Sequence, residues 1–132
     1  MKVMEAEYIL ELASTRDPQL HRIVEFSLMI GIMPSDIPPI TEEVLTTGRL
    51  TLPGGREIVL GVTAFAMATR LDLPNGSPGG AFLDARWRRL ARSLDYESDT
   101  INDVLILASE REIDFPIRLT SPKNEWDGEV PF

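Results

Sequence analysis

His21 is the only imidazole in the sequence and there is no cysteine, so side chains able to act as base, nucleophile or soft metal ligand near neutral pH are scarce. A Ser–His–Asp hydrolase would have to be built on His21, with an acid to orient the ring and a hydroxyl within its reach. No Gly-x-Ser-x-Gly elbow accompanies it. His21 stands beside Arg22 in the first turns of an expected helix, where it reads as a surface or partly buried side chain rather than a base. One His and no Cys cannot assemble a zinc or transition-metal site without a cage of carboxylates. The run Asp95-Tyr96-Glu97-Ser98-Asp99 alternates acids as a calcium loop does. However, Thr100 stands where that loop turns on glycine, and Ile106 where a bidentate Glu would close it. The run reads instead as a helix start whose acids suit the helix dipole. The glycines at 54, 55, 76, 79 and 80 are not followed by the Lys-Ser or Lys-Thr of a phosphate loop, and read as turns. No cofactor or metal is expected, and the chain is expected not to be an enzyme.

The charges are more informative. From Asp84 to Arg92, four arginines (Arg86, Arg88, Arg89 and Arg92) stand against one acid, a net of +3. From Asp95 to Asp114, seven acids, among them Asp99, Asp103 and Glu110, stand against Arg111, a net of −6. Two readings are open. Adjacent helices balance each other within one chain, partly through i, i+4 pairs such as Asp84 with Arg88. Alternatively, the basic face of one subunit meets the acidic face of the next, making those arginines with Asp99, Asp103 and Glu110 a head-to-tail ring interface.

These residues sit in a chain of 132 residues that is 43% hydrophobic and 26% charged, a balance that suits one soluble domain. The net charge of −8 disfavours partners gripped mainly through phosphates. Acids near Met1 interrupt what a secretory signal would need, and Phe26 to Met33 falls far short of the ~20 apolar residues that span a bilayer. No membrane association is expected.

Periodicity predicts a mainly α fold of about five helices packed as a small bundle over residues 1–120, followed by an extended arm over 121–132. The first helix runs from Val3 to Ala13 with Met4, Tyr8, Ile9 and Leu12 inward. Asp17-Pro18 starts a second, because Asp caps the free amides and Pro has no amide to lose. It ends at Gly31 and Pro34. Ser35 to Ile40 is expected to be extended. Thr41 caps a short helix that Gly48 closes. Arg49 to Leu52 and Glu57 to Leu60 either pair as a β-hairpin or lead straight into the next helix. Helices follow over Val62–Leu71, over Ala81–Leu94 with the stripe Leu83, Trp87, Leu90, Ala91 and Leu94, and from Ser98 or Asp99 to about Arg111 with Ile101, Val104, Leu105 and Ala108 inward. Ile113 to Thr120 reads as extended. In the arm, Trp126 and Phe132 suit docking onto a partner, since large aromatics are rare in segments that stay unfolded.

Ile37-Pro38-Pro39-Ile40-Thr41, Leu50-Thr51-Leu52-Pro53 and the alanine-rich helix from Leu60 to Leu71, followed by Phe82, Trp87, Leu90 and Ala91, resemble the small head–tail connector (adaptor or neck) proteins of tailed bacteriophages. The resemblance covers roughly residues 37 to 94. It implies a helical subunit, resident in the virion and assembled in the host cytoplasm. Copies would form a ring joining portal to tail, perform no chemistry and let DNA through only as cargo, with a terminal arm reaching into a neighbouring protein. The helix from Asp17 to Met33 is more apolar than that family leads one to expect. The competing expectation is a small acidic inhibitor, an immunity or anti-defence protein, whose acidic stretch covers the basic groove of an enzyme.

Overall fold

A single residue separates the first two helices. The computed structural model, which describes residues 1–71, 80–98 and 101–115, runs α1 over Val3–Arg16 and α2 over Pro18–Ile30. Asp17 serves both. Its amide donates to the Ala13 carbonyl at 2.9 Å to end α1, and its carboxylate accepts from the Leu20 amide at 3.3 Å to start α2. α1 is longer than the expected Val3–Ala13: it continues to the Asp17 cap, and the Ser14 and Thr15 hydroxyls satisfy themselves on the Glu11 and Leu12 carbonyls of the preceding turn.

Gly31 (φ 76°) ends α2 and Gly48 (φ 72°) ends α3, Glu42–Thr47, both in the left-handed conformation that a side chain would oppose. Thr41 caps α3 as expected, its hydroxyl accepting from the Val44 amide at 3.3 Å. Of the two readings for the next segment, the hairpin is the one observed. β1, Arg49–Thr51, pairs antiparallel with β2, Glu57–Val59, placing Leu50 opposite Ile58. α4 spans Val62–Ala68 and α5 Gly80–Ser93, and a 3₁₀ turn at Ile101–Asp103 leads into α6, Val104–Glu110. The fold is therefore mainly α, with six α-helices and one two-stranded sheet among the described residues.

The proline stretch departs from expectation at its start. Pro34–Asp36 forms a 3₁₀ turn, closed by the Asp36 amide on the Met33 carbonyl at 2.9 Å, so Ser35 and Asp36 are not extended. Met33 and Ile37, which do precede prolines, are extended, as the steric rule requires.

α1 packs against α2, α5 and α6, while α2 also meets α4 and α5. Trp87, Phe26 and Phe115 are the largest fully buried side chains between them. The inward face of α1 is Ala6, Ile9, Leu10 and Ala13, whereas Met4 is 59% and Tyr8 46% exposed. The expected stripe was thus rotated. Small Ala6 and Ala13 let neighbouring helices approach closely, and bulkier Met4 and Tyr8 fall outside that contact. On α5 the expected Leu83, Trp87, Leu90 and Ala91 are all buried, with Leu94 at the margin. On α6 Leu107 takes the inward place expected of Leu105, which is only partly buried.

Candidate functional site

Starting from α2, the side chains His21, Arg22, Glu25, Leu28 and Met29 reach one groove, which Met67 of α4 and Arg111 and Ile113 beyond α6 complete. Its volume is about 540 Å³. The period of the helix explains the grouping: 21, 25, 28 and 29 lie on one stripe of α2, beside the stripe that faces the core. The floor is apolar and includes two methionines, which adapt readily to irregular surfaces. Met29 is 49% exposed and also lines an uncharged cleft with Ile58, Val59, Val62 and Ala64. Val59 is 74% and Val62 90% exposed, so apolar surface continues from the groove onto the hairpin.

The rim is charged, and most of its charge is matched locally. Arg111 donates to Glu25 at 2.8 Å and approaches Glu7 at 3.5 Å. Burial works against the charge on Arg111, yet these carboxylates, with Glu110 behind them, hold its pKa above the ordinary value. His21 Nε2 lies 3.9 Å from the second oxygen of Glu25, one helical turn away. Arg22 differs: its Nε donates to the Arg70 carbonyl at 3.0 Å, and no carboxylate pairs with it among the described residues.

Arg86, expected at a subunit interface, turns inward. It grips Asp17 through Nε at 2.7 Å and again through Nη2, donates to Gln19 at 2.9 Å, and lies 4.6 Å from the centre of the Phe82 ring. Burial alone would raise the pKa of Asp17, but the bonds and charge of Arg86, the Leu20 amide and the field of Arg89 together lower it. Gln19 in turn donates to the Leu71 carbonyl at 3.3 Å, so this cluster ties the start of α2 to both α5 and the turn after α4.

The other arginines face outward. Arg88 and Arg92 line a surface pocket with Glu97, Ser98 and Asp103, and Arg89 is exposed on the same helix. Part of the basic block is therefore brought beside part of the acidic block within one chain. Asp103 also accepts from the Ser98 hydroxyl, and Asp84 accepts from the Ile101 amide at 2.6 Å. Glu110 is exposed at the end of α6, next to Arg111. Asp99, Trp126 and Phe132 lie outside the described residues.

The groove leaves no mark in the charge blocks, because its members come from α2, α4 and the residues after α6. The one local signal was Met29, an apolar residue on the outer side of the α2 stripe. Among the described residues no group of three His, Asp or Glu side chains is placed to hold a metal ion, and no helix is long and apolar enough to cross a membrane. No family model, curated protein or solved structure matches the chain.

Proposed function

We propose that this chain is a non-enzymatic structural protein that works by binding other proteins, a head–tail connector subunit of a tailed-phage particle whose copies form a ring joining portal to tail. The observation that carries this reading is the apolar surface centred on Met29, continuous from the groove to Val59 and Val62. Such surface costs solubility when left in water and is retained where a partner covers it. The exposed arginines of α5 and the acids Glu110, at the end of α6, and Glu112, just past it, offer opposite charges on separate elements, as a head-to-tail contact requires. An acidic inhibitor is served less well, since Asp103 shares a pocket with Arg88 and Arg92 and so presents no purely negative face. Arg86 belongs to the fold, which leaves Arg88, Arg89 and Arg92 as the basic side of the ring contact.

Single-particle imaging of the purified chain, alone and with portal, tests the reading. The expected result is a ring, dispersed by reversing Arg89 and Arg92 to Glu. A particle neck without this chain, or turnover of a small molecule lost on His21→Ala, would overturn it.

A further inference from the structure

We infer that the groove between α2, α4 and the end of α6 is the seat for residues 125–132 of a second copy of the chain. The inference rests on the self-assembly part of the function proposed above. The floor offers Leu28, Met29, Met67 and Ile113, in a groove of about 540 Å³, within the range that takes a few side chains. Above it stands Arg22, fixed in place by its Nε bond to the Arg70 carbonyl and matched by no carboxylate among the described residues. In a chain of net charge −8, an arginine held this way on an apolar rim is the less expected arrangement. Its terminal nitrogens are preorganised to fork onto a carboxylate.

The occupant must then pair apolar bulk with negative charge. Residues 125–132, Glu-Trp-Asp-Gly-Glu-Val-Pro-Phe, carry three acids and no base around Trp126, Val130 and Phe132. An acid flanking Trp126 meets Arg22 while the indole lies on the methionines, which supplies large apolar contact at low entropic cost. Arg111 is already neutralised by Glu25 and Glu7 and contributes position rather than charge.

The test uses a labelled synthetic peptide of residues 121–132 and fluorescence anisotropy. The receptor is the full chain carrying Trp126→Ser and Phe132→Ser, so that its own segment does not compete. Saturable binding is expected, weakened about tenfold or more by Arg22→Glu and by Met29→Asp, and weakened by added salt. Met29 is half exposed, so Met29→Asp leaves the fold intact, which circular dichroism checks. A peptide bearing the same two serines should lose binding. Absence of binding, or binding indifferent to both receptor variants, overturns the assignment. Binding by a chain that imaging finds monomeric would overturn the assignment to a second copy together with the ring, since the segment would then seat within its own chain. A ring whose subunits ignore the peptide would overturn the assignment and uphold the ring.

Discussion

Replacing Arg86 with alanine removes two bonds to Asp17, one to Gln19 and the stacking on Phe82 in a single step. The Arg86 and Asp17 side chains are only 15% and 17% exposed, so Asp17 would be left largely out of water without its counter-charge. Breaking a fully buried pair from one side costs about 3–5 kcal/mol, and the residual exposure here brings the expectation down to about 2–3 kcal/mol. Asp17→Ala should cost about 1 kcal/mol more, because it also removes the cap on the Leu20 amide. At this chain length each kcal/mol moves the midpoint by about 4 °C, so Arg86→Ala should melt roughly 8–12 °C below the parent. A double-mutant cycle by urea unfolding at pH 7 should return a coupling of about 1.5 kcal/mol. The pKa of Asp17 is lowered from 3.8 by folding, so the pair's contribution is complete above 3.8 and is lost as the pH falls through the folded value. The coupling should shrink accordingly in acid. A coupling below about 0.3 kcal/mol at pH 7, or one indifferent to acid, would refute the reasoning. An Arg86→Ala chain that melts like the parent yet fails to assemble would return Arg86 to the subunit interface.

Other perturbations have equally definite outcomes. Asp36 is pushed above its ordinary pKa of 3.8 by burial, so its ionised form opposes folding at neutral pH and stability from this group grows as pH falls through the folded value. Asp36→Asn should therefore raise the midpoint at pH 7 by about 1–3 °C, with no gain below pH 3.8, in a thermal melt followed at both pH values. Gly48→Ala meets no clash, its nearest neighbour being the Phe65 ring at 4.0 Å, so only the left-handed backbone opposes it. The cost should be about 1–2 kcal/mol by urea unfolding. Trp87 is fully buried and its Nε1 has no hydrogen-bond partner among the described residues. Trp87→Phe loses volume but also removes that stranded donor, so it should cost about 1–2 kcal/mol, well under the 3–5 of Trp87→Ala.

What could be read from the chain directly are the features that local chemistry decides. Asp17-Pro18, Thr41, Gly31 and Gly48 place helix ends where they are found, since caps and left-handed turns depend on a few neighbouring residues. The Leu83, Trp87, Leu90 and Ala91 stripe was equally plain because polar residues fill the opposite face of α5. α1 is the counterexample. Apolar side chains lie on more than one of its sides, and only the packing of α2, α5 and α6 selects Ala6, Ile9, Leu10 and Ala13 over Met4 and Tyr8.

The same division governs the charged residues. Counting along the chain revealed one basic and one acidic block, a property of composition alone. Which arginine serves the fold and which faces a neighbour depends on partners far away in sequence: Asp17 lies 69 positions from Arg86, and Glu25 lies 86 from Arg111. Pairings at that separation are fixed by how the helices stack, and so is the groove, whose floor joins α2, α4 and the residues after α6. Short-range chemistry thus determined where the elements begin and end. The stacking of helices decided which surface remains for a partner, because apolar area stays exposed only where no other part of the chain reaches it.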